Sequence, residues 1–84
     1  MYKIPLIGGE LGNETWECQS LLLPEYIAFE DGLKNGRLQC IFGWESTMMF
    51  PLQYYINIYC HKDVLLYKTK KNVSGYYLDY VAKY

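Results

Sequence analysis

The chain has 84 residues, enough for one domain with a small core. It is 51% hydrophobic and 18% aromatic, with ten tyrosines, which excludes the apolar-poor, highly charged balance of a disordered chain. A net charge of −1 gives the molecule no overall pull on nucleic acid or on an anionic membrane.

Tyr2–Ile7 is a short apolar stretch containing Pro5, which suits an edge strand because proline cannot donate to a ladder. Gly8-Gly9-Glu10-Leu11-Gly12-Asn13 reads as a flexible loop. In Glu14–Leu22, Trp16, Cys18, Ser20 and Leu22 alternate with Thr15, Glu17, Gln19 and Leu21, the two-residue rhythm of a strand, and Pro24 ends it. Glu25–Gly36 fits a short helix with Tyr26, Phe29 and Leu33 on one face. It also fits a hairpin with a strand at Tyr26–Glu30 and a turn at Asp31-Gly32 or Asn35-Gly36. The hairpin is favoured, because Leu38, Cys40, Phe42 and Trp44 alternate with Arg37, Gln39 and Ile41 directly after the turn residues.

Glu45–Pro51 is a loop by context, although it carries Met48, Met49 and Phe50. Leu52–His61 then separates into Leu52, Tyr54, Ile56, Ile58 and Cys60 on one side and Gln53, Tyr55, Asn57, Tyr59 and His61 on the other. That pattern predicts a strand with Tyr54 inward and Tyr55 and Tyr59 outward. A turn at His61-Lys62-Asp63 leads back into Val64–Lys70, Lys71-Asn72 turns again, and Gly75–Ala82 closes the chain with Tyr76, Leu78, Tyr80 and Ala82 on one face. A short helix from Ser74 is the alternative for this last element. Together these elements predict an all-β domain over residues 1–84, a six- or seven-stranded antiparallel barrel or sandwich. One short helix is admitted, around 25–35 or at the C-terminus.

Residues 1–31 carry six carboxylates against Lys3, and residues 32–84 carry seven cations against Glu45, Asp63 and Asp79. Either the fold separates these halves into opposite poles or interleaved strands mix them. Cys18, Cys40 and Cys60 are too widely and oddly spaced for a disulfide framework. Each falls on the apolar face of its expected strand, which suits reduced thiols in an intracellular, cytoplasmic setting. Met1–Gly9 lacks the layout of a signal peptide, so Asn13-Glu14-Thr15 and Asn72-Val73-Ser74 are read as chance matches to the glycosylation pattern. No apolar run reaches membrane-spanning length.

No catalytic constellation emerges. His61 is the single histidine, stands at a predicted turn, and points away from Cys60 if both lie in a strand. Three scattered cysteines and one histidine do not make a local zinc site, and the glycines at 8, 9 and 12 match no phosphate-binding loop. No cofactor or metal is expected. Two binding chemistries remain. Trp44, Met48, Met49, Phe50, Tyr55 and Tyr59 are the residue types that anchor protein interfaces, so the favoured reading is a non-enzymatic protein-binding module. Its partner is another protein or a second copy forming a homodimer. That profile suits an accessory or inhibitor protein, such as a virus-encoded blocker of a host factor. A competing use of the Met48–Phe50 segment is structural, as a plug for the open end of a barrel. The second binding chemistry is single-stranded nucleic acid or a nucleotide, stacked on Tyr55 and Tyr59 and neutralised by Lys68, Lys70 and Lys71.

Overall fold

The computed structural model describes residues 1–59 and 63–84. Expectations resting on Cys60, His61 and Lys62 lie outside the described residues. Among the described residues, six strands and one helix follow in chain order: β1 (Tyr2–Ile7), β2 (Thr15–Cys18), β3 (Tyr26–Lys34), β4 (Arg37–Trp44), α1 (Leu52–Tyr59), β5 (Val64–Asn72) and β6 (Gly75–Lys83). The strands form one sheet in the order β2-β1-β6-β5-β3-β4, curled into a nearly closed barrel. Every neighbouring pair is antiparallel except β1 and β6, so the sheet is mixed.

Both hairpins form where turn chemistry allows. Asn35 and Gly36 each take positive φ, 55° and 73°, as a two-residue turn of the I′ type requires, and β3 runs on past Glu30 to Lys34 to meet it. The β5–β6 turn falls at Val73-Ser74, where the Ser74 amide donates to the Asn72 side-chain oxygen at 2.9 Å. Neither Tyr26–Lys34 nor Gly75–Lys83 is helical, because each gains an antiparallel neighbour in β5, over Tyr26–Glu30 of β3 and along the length of β6. β1 is not an edge strand: β2 flanks it on one side and β6 on the other. Pro5 is accommodated because β6 joins β1 only beyond it, at Leu6 and Ile7.

The strand alternation sorts side chains into two clusters. Ile4, Leu6, Leu11, Ile27, Phe29, Leu65, Tyr67 and Leu78 fill the barrel, with Trp16, Cys18, Leu23, Leu38, Tyr76 and Tyr80 closing over them. Edge-to-face contacts run from Trp16 to Phe29, Tyr67 and Tyr80 at centroid distances of 5.5, 5.9 and 5.6 Å. The intervening residues Ala28, Val64 and Leu66 face the other way and form a smaller buried cluster on the sheet's outer surface. Opposite Ala28 and Phe29 the register of β4 shifts by one residue, between Phe42 and Cys40. This bulge turns Ile41 and Phe42 onto the outer cluster, while Leu38 stays on the inner one.

Not all expectations about individual residues hold. Cys18 packs at the core as expected, whereas Cys40 is exposed at the bulge, although the protein crowded around its thiol pushes the pKa up to about 11. The halves of opposite charge interleave: the Lys83 ammonium lies 2.9 Å from Glu10 and 3.3 Å from Asp31. The glycine loop is a close approach rather than a flexible turn. Gly8 accepts a 2.6 Å hydrogen bond from the Tyr67 hydroxyl, and Gly9 lies against the Tyr67 and Tyr80 side chains.

Candidate functional site

The segment Leu52–Tyr59, expected as a strand, is the helix α1. Its sequence satisfies both periods. Leu52, Tyr55, Ile56 and Tyr59 fall at i, i+3, i+4 and i+7, the spacing of one helix face, and tyrosines occupy both faces of the alternative strand. Context decides between them. Pro51 immediately before α1 sets a helix-compatible φ and lacks only a donor the first turn leaves unused, and its carbonyl accepts from the Tyr54 amide at 3.1 Å. Gln53 and Asn57 hydrogen-bond side chain to side chain at 2.8 Å, one helical turn apart.

Eight residues make a helix that is marginal by itself, so tertiary packing has to hold it. Leu52 seats on the Ala28, Val64 and Leu66 cluster, and Ile56 is buried. The Phe42 ring meets Tyr55 at 5.8 Å and Tyr59 at 5.9 Å, and Tyr55 and Tyr59 stack on each other at 6.1 Å. The bulge that turns Phe42 outward is therefore what gives the helix its seat.

The loop before the helix is pinned from its two ends. The Trp44 indole N–H donates to the Phe50 carbonyl at 3.0 Å, and the Glu45 amide donates to the Met48 sulfur at 3.2 Å. The Glu25 carboxylate accepts from the Ser46 amide at 3.0 Å and from its hydroxyl at 2.8 Å, which holds the Glu25 carboxyl below its usual range. Trp44 leans on Tyr26 at 5.6 Å, with the Lys68 ammonium 5.6 Å from the same Tyr26 ring. Phe50 stacks on Tyr54 at 4.4 Å.

The result is a connected aromatic surface: Tyr26, Trp44, Phe50, Tyr54, Tyr55, Tyr59 and Phe42. Of the residues expected to form a docking face, Trp44, Phe50, Tyr55 and Tyr59 join it directly, and Met48 and Met49 project from the same loop. The Met48–Phe50 segment does not plug the barrel: Met49 is 89% exposed and Phe50 42%. Three positions change roles relative to the strand expectation. Tyr54 and Ile58, assigned to the core, stand half-exposed on the outer side of α1, while Tyr55, assigned to the surface, packs on Phe42. The signal for this exchange was the Gln53–Asn57 spacing, which puts the helix's two polar residues one turn apart. Ser46–Tyr59 contains no charged residue.

Of the lysines expected for nucleic acid, Lys68 lies against the aromatic surface, over the Tyr26 ring. Lys70 pairs with Asp79 at 2.8 Å, and Lys71 stands over the Tyr76 ring at 5.3 Å, both within the β5–β6 hairpin. Tyr55 and Tyr59 instead contact Phe42 on the outer face of β4. Among the described residues, no group of histidine, cysteine or carboxylate side chains could hold a metal ion, and no helix is long and apolar enough to cross a membrane.

No protein-family model matches the chain, and neither a curated protein nor a solved structure resembles it significantly.

Proposed function

We propose that the chain is a non-enzymatic protein-binding module whose docking face is the outer side of α1 together with the Met48–Phe50 loop. The observation that carries this reading is that α1 is apolar on two sides and buries only one. Six of its eight residues are aliphatic or tyrosine. Leu52, Tyr55 and Ile56 turn towards the sheet, while Tyr54, stacked on Phe50, and Ile58 remain half-exposed, as does Tyr59 where it rests on Phe42 and Tyr55. Apart from the stripe of Gln53 and Asn57 the helix is apolar over an arc wider than the face it buries, and contiguous apolar surface of this kind marks interaction sites. The partner is a protein presenting a neutral, apolar groove. Aromatic and methionine anchors carry most interface energy, and nothing in Ser46–Tyr59 would attract a charged ligand. Such a module acts by occupying its partner, as an accessory or inhibitor protein does.

Phe50→Asp tests the reading. The variant should keep the wild-type circular dichroism spectrum and lose the complex that wild-type protein forms in its native cell extract. A second copy as the partner would show as a wild-type dimer in sedimentation that the variant splits. A complex unaffected by Phe50→Asp contradicts the proposal. One that weakens steeply with salt and depends on Lys70 and Lys71 favours nucleic acid instead.

A further inference from the structure

The barrel has a seam, and its topology specifies what fits there. β2 and β4 are the two ends of the sheet order and are not paired with each other. Following the pairings from β2 through β1, β6, β5 and β3 to β4, with one parallel and four antiparallel steps, brings β4 out running in the same direction as β2. Two edges that run the same way across a gap can both be paired antiparallel, the more stable arrangement, by one strand running the opposite way. The gap is a groove of about 310 Å³ lined by Met1, Trp16 and Glu17 on one lip and Arg37, Leu38 and Gln39 on the other.

We infer that this seam accepts an extended segment of a partner polypeptide as a seventh strand, antiparallel to both β2 and β4. An edge strand carries a row of unpaired N–H and C=O groups, and only an extended backbone matches both rows at once. Neither lip is blunted by proline, and each carries one charge, of opposite sign: Glu17 on β2 and Arg37 on β4. Trp16 and Leu38 pack against the barrel interior from the two lips and are only half-buried, so they await cover from above. The incoming segment therefore has apolar side chains at alternate positions, directed onto Trp16 and Leu38, polar ones between them, and little net charge. Cα atoms of β2 and β4 already come within 8 Å of each other, whereas a strand between them needs about 10 Å. Insertion therefore requires β2, which is four residues long and pairs with β1 alone among the strands, to shift outward with Trp16 sliding on Phe29.

The site is distinct from the α1 face, so neither proposal stands or falls with the other. Met1 lines the groove, which allows a strand to be tethered. A semisynthetic full chain carries Thr-Val-Thr-Val-Thr-Val ahead of Met1, joined by a flexible linker of about eight residues, long enough to run back along the strand. Hydrogen exchange of β2 and β4 amides is compared with a chain whose extension is glycine and serine only. Insertion slows exchange of the outward amides on both strands by at least tenfold. N-methylation of either alternate set of residues in the extension abolishes that protection, because one set pairs with β2 and the other with β4. Unchanged exchange overturns the inference. So does protection that survives methylation of one set, since the strand would then be adding to a single edge. Ile58→Asp on α1 leaves the protection intact.

Discussion

The Tyr67 hydroxyl, at the centre of the core, donates to the Gly8 carbonyl oxygen at 2.6 Å and so ties β5 to the loop that follows β1. Tyr67→Phe removes the donor and leaves that carbonyl without it. The variant should lose about 1–2 kcal/mol of stability in urea unfolding. Burial pushes the Tyr67 phenol above its ordinary pKa of 10, against a Leu11 backbone hydrogen bond that favours the ionised form. Below pH 10 the phenol is neutral in folded and unfolded chains alike. Above it the unfolded chain loses the proton first, so stability falls as pH rises. Tyr67→Phe should flatten that alkaline decline; a decline of unchanged slope would assign it to other groups.

Gly9→Ala and Gly36→Ala separate crowding from backbone strain. Both glycines have positive φ, 70° and 73°. A methyl group at Gly36 meets open space, while at Gly9 it would lie 2.8 Å from the Tyr67 oxygen and closer still to the Tyr80 ring. Gly36→Ala should cost about 1 kcal/mol from its backbone alone. Gly9→Ala should add overpacking of about 1–3 kcal/mol to that. Equal losses for the two variants would mean that the loop moves freely away from the tyrosines.

Lys83 gathers carboxylates from three parts of the chain: Glu10, Asp31 and Asp63, at 2.9, 3.3 and 3.7 Å. Asp31 is held below its ordinary range first by a hydrogen bond with Glu10 and then by Lys83, outweighing a partial burial that acts the other way. The stabilisation that Lys83 lends to the ionised Asp31 is present above the ordinary carboxylate pKa and is lost as pH falls through the lowered one. In a carbon-13 NMR titration, Lys83→Met should move the Asp31 midpoint upward, and added salt should do the same in part. A midpoint that stays in place would leave the effect to Glu10 alone.

Phe42→Ala tests what holds α1. The variant removes the ring on which Tyr55 and Tyr59 rest. The helical contribution to the far-ultraviolet spectrum should melt before the sheet does, because eight residues do not sustain a helix without tertiary contacts. Truncation of the buried Ile56 to alanine should act the same way, at about 2 kcal/mol, the low end for an aliphatic core residue. A single cooperative transition at the wild-type temperature would contradict the dependence.

The sheet was legible wherever local rhythm and turn chemistry agreed. The alternation after Gly36 favoured the β3–β4 hairpin but left its turn open between Asp31-Gly32 and Asn35-Gly36, and the alternation of Tyr76, Leu78 and Tyr80 placed β6. Two features escaped. The bulge in β4 depends on pairing with β3 and leaves no trace in Leu38–Trp44 itself, so Cys40 and Phe42 could not be assigned faces by alternation. In Leu52–Tyr59, tyrosine at 54, 55 and 59 satisfied both periods, since an aromatic residue is acceptable on either face of a half-buried element. Pro51 and the Gln53–Asn57 pair carry a helical signal that a reading by strict alternation alone does not register. The proposed docking residues were chosen largely by type; which of them point outward depends on the helix.

Ile58 gives the most direct measurement, because a strand would bury it and the helix exposes it. The central quantity is the affinity of Ile58→Asp, relative to wild type, for the protein partner isolated with the wild-type chain, measured from 50 to 500 mM salt. The account predicts a variant that folds normally and binds more than tenfold more weakly, with a wild-type affinity that hardly changes with salt. A variant that unfolds, or one that binds as wild type does, would contradict it.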